Sequence, residues 1–390
     1  MSNTLEPVGI AVVGCGNISD QYLTNLVRFP DVTVLACADI DVNRAAAQAA
    51  KYGVPNSGDF ETVLAMPKVE LIVNLTIPAV HASVAFQAIR AGKHVYGEKP
   101  FALSIEEAQA VAAAAAEHGV QLGNAPDTFL GAGLQTARRV IEEGRIGTPI
   151  SANAIFGYPG PDAWHPNPEF LFQKGGGPLL DMGPYYLTAL VQLFGPVKTV
   201  SGFGRRAQAR RTIGSGPRAG ETFDATVDTQ VSALLEFVSG PVATATFSFD
   251  APVATRELEV HGTDAVIRLP DPNRFDGSVF LCKKDTNKTE PGDWLQAPTD
   301  ADWAEVQAEG STEGRGMGAL DLARAVRSGG QPKAGADLAI HVLDIMESIA
   351  RSAASGKTIA LSTSCALAEL LPASWNPLQK SVCISEQVST

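Results

Sequence analysis

The sequence predicts an α/β protein with an N-terminal doubly wound parallel sheet and a C-terminal α/β domain built on a large, mostly antiparallel sheet. Three observations predict this class. An apolar run, Val8–Val13, leads directly into a glycine-rich turn. Strand-like and helical patterns then alternate over roughly the first 125 residues. Beyond them, short strand-like runs follow one another, and two of these are joined by a hairpin signal.

The first strand ends in a turn suited to a phosphate group. Val8–Val13 is apolar throughout, as in a strand covered on both faces, and the turn of residues 14–19 precedes a helical pattern. Gly14 allows the tight turn, Gly16 lets a pyrophosphate approach the backbone, and the helix N-terminus offers amide hydrogens. Ser19 replaces the third glycine of this fingerprint, which we expect to loosen helix packing without removing the phosphate site. A glycine turn used for packing alone is the competing interpretation. The predicted dinucleotide contacts are Gly14, Gly16, Asn17 and Ile18.

An acidic residue closes the second strand. Val32–Ala38 reads as a strand and ends at Asp39, where a carboxylate can accept hydrogen bonds from both hydroxyls of an adenosine ribose and would repel a 2′-phosphate. We therefore expect NAD rather than NADP, although Arg44 could still reach a phosphate. The alternative is that Asp39 only caps the helix predicted over Val42–Tyr52.

The alternation continues, and polar residues follow two of the later strands. Helical patterns cover Glu61–Met66, His81–Ala91 and Ser104–Glu117, and strand-like runs cover Leu71–Leu75, His94–Tyr96 and Gln121–Asn124. Ser104 and Glu107 are spaced as a capping box. Ligands of such sheets lie at the carboxyl ends of the strands, so we predict cofactor contacts from Thr76, Pro78, Glu98 and Lys99. Lys99 is predicted to lie beside the nicotinamide ring and to assist hydride transfer. His81 is predicted to cap a helix or to contact the cofactor edge.

Four segments occur in an order and spacing that resemble a known family. They are the Gly14 turn, Glu98-Lys99-Pro100, Ile141-Glu142-Glu143-Gly144-Arg145-Ile146-Gly147, and Gly175-Gly176-Gly177 followed by Asp181. Together they resemble the Gfo/Idh/MocA oxidoreductases, which include glucose-fructose oxidoreductase and inositol dehydrogenase. The resemblance implies an N-terminal Rossmann domain and a C-terminal α/β domain whose sheet often forms the oligomer contact. It also implies that Lys99 contacts the nicotinamide ribose and the substrate hydroxyl, and that the Lys99–Pro100 bond is cis.

The second half has the strand character that this architecture requires. After a helix over Leu134–Glu143, strand-like runs cover Ile150–Phe156, Val197–Phe203, Thr226–Phe237, Val242–Phe249, Glu257–His261, Ala265–Leu269 and Val279–Cys282. Ser239-Gly240-Pro241 is a hairpin signal, which makes these strands mainly antiparallel. The glycine-rich segment Ile213–Gly220 is predicted to be a mobile loop. Helical patterns over Gly318–Ser328 and Leu338–Ala353 are expected to return to the first domain.

Candidate catalytic residues follow the triglycine. On the helix predicted over Leu179–Phe194, Asp181 and Tyr185 are four residues apart and share one face. The resemblance implies a histidine acid/base at the place of Tyr185. A phenol can act as the base if a nearby ammonium lowers its pKa, so we predict that Tyr185 removes the alcohol proton and that Asp181 orients the substrate hydroxyls or Lys99. The alternatives are that Tyr185 and Tyr186 only pack and that Asp181 only complements the helix N-terminus.

Further residues are predicted to complete the substrate site. The resemblance places Asp127 where an asparagine often faces nicotinamide and substrate. Trp164 and His165, in a proline-rich loop, could stack on a sugar face and bond its hydroxyls, and Tyr186 is a further candidate substrate contact. His165 is the alternative base, or simply a solvated loop residue. The six histidines do not cluster with carboxylates, so no metal is expected.

Composition excludes several other classes. The net charge of -12 disfavours a nucleic-acid or anionic-membrane partner. The basic run Arg205, Arg206, Arg210 and Arg211 is interpreted as a solvated loop rather than an anion site. Five cysteines without CxxC spacing indicate a reducing compartment, and no apolar run approaches the roughly 18 residues of a membrane helix. A cytoplasmic protein is the expectation.

The function predicted from the sequence is NAD-dependent oxidation of a secondary alcohol of a sugar, glycoside or cyclitol, with NADP the less favoured cofactor. The alternatives are an enzyme that recycles bound NAD to cleave a glycosidic bond and a non-catalytic dinucleotide-sensing regulator. We expect a dinucleotide-binding domain over residues 1–126, a substrate and oligomerisation domain over 127–376 and a polar, poorly ordered tail over 377–390. A homodimer or homotetramer through the C-terminal sheet is expected from the resemblance.

Overall fold

The computed structural model describes residues 5–284 and 296–381, which form two compact units. The N-terminal unit takes the chain up to Leu130, then Ser311–Ile340, and the chain from Pro372 onward. The C-terminal unit takes Gly131–Gly310 and His341–Leu371. The domain boundaries predicted from the sequence stay a prediction, and most of the predicted polar tail lies outside the described residues.

A six-stranded parallel sheet forms the N-terminal unit. Its strands are β1 (Val8–Val13), β2 (Val32–Ala38), β3 (Asn56–Gly58), β4 (Leu71–Asn74), β5 (His94–Gly97) and β6 (Leu122–Asn124). They lie in the order β3-β2-β1-β4-β5-β6, and every neighbouring pair is parallel. The order reverses between β1 and β4, which is where such sheets open a ligand crevice. The predicted doubly wound sheet is confirmed, with β3 as an additional strand.

Five helices connect these strands. They are α1 (Asn17–Leu26), α2 (Val42–Tyr52), α3 (Phe60–Leu64), α4 (His81–Arg90) and α5 (Ile105–His118). The hydroxyl of Ser104 caps α5 by accepting from the backbone N–H of Glu107 at 3.2 Å. The carboxylate of Glu107 accepts from the N–H of Leu103 at 2.9 Å rather than from that of Ser104. Half of the predicted capping box is therefore present, and the acidic side chain serves the residue before the cap.

A nine-stranded sheet forms the C-terminal unit. The strands of this unit are β7 (Pro149–Gly157), β8 (Val197–Arg205), β9 (Arg210–Thr212), β10 (Thr222–Asp224), β11 (Gln230–Phe237), β12 (Val242–Ser248), β13 (Thr255–Gly262), β14 (Ala265–Arg268), β15 (Val279–Lys283), β16 (Ala304–Val306) and β17 (Ile359–Ala360). The sheet order is β16-β15-β14-β13-β7-β12-β11-β8-β17, while β9 and β10 pair separately. The predicted hairpin of β11 and β12 is confirmed, and β7 and β12 form a parallel pair in an otherwise antiparallel sheet.

Helix α7 (Pro178–Phe194) packs against β7, β11 and β12 of this sheet. The other helices of the described residues are α6 (Ala132–Glu142), α8 (Met317–Ser328) and α9 (Ala336–Ser355). Helix α8 belongs to the N-terminal unit, as expected. The same expectation was wrong for most of α9, which begins in that unit but from His341 onward belongs to the C-terminal unit. In β8, a Cβ on Gly202 would lie 2.8 Å from the carbonyl oxygen of Ile349 in α9, so only glycine permits this approach.

The basic run predicted to be a solvated loop is exposed at Arg205, Arg206 and Arg210 but not at Arg211. Arg210 and Arg211 begin and continue β9, which pairs with β10 in a two-stranded sheet across the glycine-rich segment 213–221. Arg210 is exposed, but Arg211 is buried, and its guanidinium lies 2.8 Å from Asp162 and 2.6 Å from Asp250. The prediction was wrong for Arg211 because its two acidic partners are distant in sequence.

Candidate active site

The glycine turn after β1 leaves open space in front of a helix. Gly14 has φ +94°, and a Cβ there would lie 2.6 Å from the carbonyl carbon of Leu75, so both conformation and space require glycine. A Cβ on Gly16 would meet no atom within 4 Å. Gly16 is also the N-cap of α1 and provides no side-chain cap for the amides of Asn17 and Ile18. These free amide positions and the open space above them fit a pyrophosphate.

Ser19 is integrated into the turn by its hydroxyl. The side chain is fully buried and donates to the carbonyl oxygen of Gly16 at 2.6 Å. It also accepts from Nε2 of Gln48, in α2, at 2.8 Å. The hydroxyl of Ser19 thus links the turn to α2. This contact compensates for the missing third glycine in a way that the sequence pattern did not indicate.

Asp39 at the end of β2 is fixed by backbone hydrogen bonds. Its Oδ2 accepts from the N–H of Cys15 at 2.8 Å, and its Oδ1 accepts from the N–H of Asp41 at 2.9 Å. Arg44 lies 3.6 Å from Oδ1. The N-cap of α2 is Asp41, whose carboxylate accepts from the N–H of Asn43 at 3.1 Å. The interpretation of Asp39 as the cap of this helix is therefore wrong.

The segments after β4 and β5 are tied together by a buried histidine. Nδ1 of His81 lies 2.7 Å from the carbonyl oxygen of Pro100, and Nε2 lies 2.9 Å from that of Thr76. The hydroxyl of Thr76 donates to Asn74 Oδ1 at 2.6 Å, and Pro78 begins a short 3₁₀ turn. His81 therefore joins the two segments predicted to face the cofactor.

Glu98 holds the backbone of its neighbour Lys99. Its Oε1 accepts from the hydroxyl of Tyr22 at 2.8 Å, and its Oε2 accepts from the N–H of Lys99 at 2.9 Å. The Lys99–Pro100 bond is cis, as the resemblance implied. With both carboxylate oxygens engaged in a buried position, Glu98 contributes to the site by fixing where Lys99 leaves the sheet.

Asp127 lies deep in the N-terminal unit. It is fully buried, and its Oδ2 accepts from the N–H of Gly316 at 3.1 Å and of Gly318 at 2.9 Å. Burial raises the pKa of Asp127, and Arg315 opposes that shift. These contacts attach the start of α8 to the segment after β6, and the predicted substrate contact of Asp127 stays a prediction.

Asp181, Tyr185 and Tyr186 all lie on α7. The helix is continuous over Pro178–Phe194, so Asp181 and Tyr185 are one turn apart on the same face, as predicted. Asp181 is partly exposed and Tyr185 is buried. Tyr186 is fully buried, with its ring centroid 6.0 Å from those of both Phe156 and Phe247. This placement is that of a core residue and gives no support to a substrate contact.

The loop after β7 carries Trp164 and His165 and reveals a residue that sequence reasoning missed. The ring centroids of Trp164 and His165 lie 5.5 Å apart, and those of His165 and Phe170 are also 5.5 Å apart. Tyr158 begins this loop. Burial raises the pKa of its phenol, the charge of Asp181 raises it further, and a hydrogen bond with Trp164 lowers it. Tyr158 is therefore close to Trp164 and Asp181. In the sequence, the available indication of a role for Tyr158 was its position directly after a strand.

Over residues 5–284 and 296–381, no group of three potential metal ligands occurs. No helix within the same ranges is long and apolar enough to cross a membrane.

Comparisons with known proteins agree with this arrangement. A family model described as an oxidoreductase family with an NAD-binding Rossmann fold matches residues 8–125, and the GFO/IDH/MocA C-terminal domain model matches residues 134–268. The chain is 28% identical over 260 residues to the 1,5-anhydro-D-fructose reductase of Ensifer adhaerens, covering 65% of this chain and 73% of that protein. It is 27% identical over 358 residues to the D-xylose 1-dehydrogenase (NADP(+)) 2 of Haloferax volcanii, covering 90% and 98%. A levoglucosan dehydrogenase in complex with NADH and L-sorbose superposes with a TM-score of 0.75 at 22% identity, covering 92% of this chain and 100% of that one.

Proposed function

The chain belongs to the Gfo/Idh/MocA family of oxidoreductases, and on that basis we propose that it is an NAD-dependent dehydrogenase that oxidises a secondary alcohol of a sugar, glycoside or cyclitol. The named relatives act on carbohydrates but differ in cofactor. The Haloferax volcanii enzyme is named for NADP, and the levoglucosan dehydrogenase structure contains NADH. The substrate class and the choice of NAD are therefore our proposal.

The observation that carries this proposal is the placement of Lys99. It follows β5 at the carboxyl edge of the parallel sheet, where dinucleotides bind, and its backbone N–H is held by the buried carboxylate of Glu98 at 2.9 Å. A regulator that only senses a dinucleotide would not require a fixed lysine at this edge. The placement supports catalysis rather than sensing alone.

Asp39 supports NAD over NADP. The carboxylate lies at the end of β2 beside the glycine turn, and it is held by the N–H groups of Cys15 and Asp41. A 2′-phosphate brought to this position would face a carboxylate that is held in place by two backbone N–H groups, and that repulsion disfavours NADP. Arg44, whose side chain is about half exposed, already lies near Asp39 and Asp41.

Three side chains divide the proposed chemistry. A bound nicotinamide supplies the acceptor for the hydride that leaves the alcohol carbon. The ammonium of Lys99 polarises the hydroxyl, and Tyr185 removes its proton directly or through Lys99. A cation close to a phenol favours the phenolate, which would suit Tyr185 to act as a base. Asp181 orients the substrate hydroxyls.

An exposed face of the nine-stranded sheet supports a homo-oligomer. Phe203, Leu234 and Val242 lie on one face, because Phe203 pairs with Ser232, Leu234 with Thr244, and Val242 with Glu236. Phe203 is 75% exposed and Leu234 is 58% exposed. Serine and threonine side chains surround these apolar residues, which gives a flat surface suited to a second copy of the sheet.

The direct test is a turnover assay with sugars, glycosides and inositols, using NAD and NADP separately and following formation of the reduced cofactor. We expect turnover with NAD and a Lys99→Met variant whose kcat is about 10³-fold lower while its affinity for NADH is kept. Lys68→Met, an exposed lysine on the same unit, is the matched control. Product formation without net NADH would favour the NAD-recycling alternative, and full activity of Lys99→Met would refute the proposal.

A further inference from the structure

We propose that Arg211 is a positioning residue that holds three aromatic side chains, Trp164, His165 and Phe170, as a platform for the ring of a cyclic sugar. This inference rests on the proposed function and adds to it the class of substrate, a pyranose or cyclitol ring in preference to an open-chain polyol. All the residues concerned lie in the C-terminal unit.

Each of the three guanidinium nitrogens of Arg211 donates at least one hydrogen bond to the protein. Its Nη2 and Nε donate to the two carboxylate oxygens of Asp162 at 2.8 and 3.1 Å, and its Nη1 donates to Asp250 at 2.6 Å. Nη2 also donates to the carbonyl oxygens of Pro159 at 2.9 Å and Phe249 at 3.0 Å. Asp162 and Pro159 belong to the loop after β7, whereas Asp250 and Phe249 follow β12. One guanidinium therefore fixes the start of the loop to the sheet.

The shape of the loop is adapted to this guanidinium. Gly160 has φ +106°, and a Cβ there would lie 2.4 Å from Nη2 of Arg211. The guanidinium carbon lies 4.9 Å from the ring centroid of Phe172, at the far end of the loop. Arg211 thus contacts both ends of the segment that carries the three aromatic residues.

The segment between β9 and β10 holds the middle of the loop. The N–H of Gly214 donates to the carbonyl oxygen of Asp162 at 2.8 Å, and the hydroxyl of Ser215 donates to that of Trp164 at 2.6 Å. Arg218 lies 2.6 Å from the carboxylate of Glu169. The glycine-rich segment 213–220, predicted to be a mobile loop, is therefore held by hydrogen bonds and an ion pair to the loop that carries the three aromatic residues.

The aromatic side chains themselves point outward. Trp164 and Phe170 are each 59% exposed, although a large apolar side chain normally gains about 2 kcal/mol from burial. His165 lies between them, with ring centroids 5.5 Å from both and planes tilted by 69° and 72°. Exposed aromatic rings held in fixed orientations suit a ligand that presents an apolar face of C–H groups, as pyranose and cyclitol rings do.

Tyr158 begins the loop that carries the platform, and the charge of Asp181 raises the pKa of its phenol. A ring resting on the platform presents a continuous face of C–H groups, whereas a flexible open-chain polyol has no such face to stack. The arrangement therefore points to selection of ring substrates.

The test compares ring and open-chain probes in the turnover assay. The ring probes are methyl β-D-glucopyranoside, D-xylose and myo-inositol, and the open-chain probe is D-sorbitol. For Trp164→Ala and Arg211→Gln, we expect KM for the best ring probe to rise about tenfold, equivalent to about 1.4 kcal/mol, with kcat within about threefold and KM for NAD unchanged. Arg210→Gln, on the same strand but exposed, is the matched control and should leave every constant unchanged.

A double variant tests whether Arg211 acts through the platform. If it does, Trp164→Ala combined with Arg211→Gln raises KM no further than the larger single effect. Since Arg211→Gln leaves two carboxylates without their arginine and could fail to fold, Ser215→Ala provides a milder test and should raise KM for the ring probe about threefold.

Three outcomes count against the inference. It is overturned by additive effects in the double variant, by equal effects on D-sorbitol, or by unchanged KM in both Trp164→Ala and Ser215→Ala. In each case wild-type turnover of sugars would leave the proposed function standing. Absence of turnover by the wild type with every probe would instead overturn the proposed function, and this inference with it.

Discussion

The carboxylate of Asp39 accepts a hydrogen bond from the backbone N–H of Cys15 at 2.8 Å, which joins the end of β2 to the glycine turn after β1. Cys15 stands between the two glycines of that turn. The acidic residue that we propose to select the cofactor ribose therefore also fixes the turn that we propose to receive the pyrophosphate. A substitution of Asp39 should affect both functions, and they can be separated by the choice of substituent.

We expect Asp39→Asn to weaken NAD binding about tenfold and Asp39→Ser about 100-fold, because hydrogen bonds to a charged group contribute about 1.5–3 kcal/mol. Both changes remove the charge that repels a 2′-phosphate, and Arg44 remains to attract one, so kcat/KM with NADP should rise. Steady-state kinetics with both cofactors measure this. Asp41→Asn, an exposed carboxylate two residues later, should not change the cofactor preference. An unchanged NAD preference in Asp39→Ser would show that Asp39 does not select the cofactor.

The identity of the base is decided by comparing Tyr185 with His165. Tyr185 lies one turn after Asp181 on a rigid helix, whereas His165 lies in a loop between two aromatic rings. We expect Tyr185→Phe to lower kcat by 10²–10⁴-fold, the usual contribution of a positioned acid or base, with NADH affinity retained. His165→Gln should change kcat by less than about fivefold. The pH profile of kcat/KM should lose its acidic limb in the Tyr185 variant, and the reverse pattern would assign the base to His165.

Local signals predicted much of the N-terminal unit because its elements are defined by short segments. The bounds of β2 and α2 agree with the prediction, since Val32–Ala38 is strongly apolar and Asp41 caps the helix that follows. The strand β3 was missed because Asn56-Ser57-Gly58 has neither apolar character nor alternation. Its pairing with β2 is a tertiary effect that overrides a weak local preference.

Features that depend on distant partners could not be predicted in the same way. Arg211 reads as one of four nearby arginines, and its acidic partners lie 49 and 39 residues away. The parallel pairing of β7 with β12 joins Asn153 to Thr244, which are 91 residues apart. Hairpin signals describe only neighbouring strands, so they predicted the antiparallel pairs and not this one. Similarly, the sequence alone did not single out Tyr158, because its relevance depends on the positions of Trp164 and Asp181.

Tyr186 gives a prediction about stability. Its hydroxyl is buried and, within the described part of the chain, has no hydrogen-bond partner. An unsatisfied buried polar group costs about 1–3 kcal/mol, so Tyr186→Phe should increase the free energy of unfolding by about 1 kcal/mol in urea titration. Phe172→Leu, which truncates a fully buried and well-packed aromatic ring, should decrease the free energy of unfolding. A stability loss together with a higher substrate KM in Tyr186→Phe would favour the substrate contact predicted from the sequence.

The exposed sheet face predicts a change in assembly state. Introducing a charge at Leu234, which lies between Ser201 and Thr244 in the register, should prevent two copies of the face from packing. We expect the assembly formed by Leu234→Arg to have a smaller molar mass than that of the wild type, measured by light scattering after size-exclusion chromatography. Val27→Lys, an exposed apolar residue in the N-terminal unit, is the control and should leave the mass unchanged. An unchanged mass in Leu234→Arg would place the oligomer contact elsewhere.

A buried histidine, His341, predicts how stability depends on pH. Its Nε2 accepts from the backbone N–H of Val197 at 2.9 Å, so the neutral ring carries its proton on Nδ1, 3.0 Å from the hydroxyl of Thr363. That hydroxyl donates to Asp344 at 2.9 Å. Burial lowers the pKa of His341 from 6.5 to about 4, even though Asp344 raises it. The folded protein therefore holds this imidazole neutral where the unfolded chain would protonate it.

Between pH 6.5 and pH 4 the unfolded chain binds one more proton at His341 than the folded protein does, so the free energy of unfolding should fall as pH falls through this window. The pKa shift of His341 corresponds to about 3 kcal/mol of the free energy of unfolding, which is present in full above pH 6.5 and lost below pH 4. Urea titrations at half-unit pH intervals measure the slope. His341→Gln, whose amide oxygen can still accept from Val197, should reduce the slope, whereas His118→Gln, on the exposed surface of α5, should leave it unchanged. Parallel curves for wild type and His341→Gln would mean that other groups, such as the carboxylates of the C-terminal unit, govern acid denaturation.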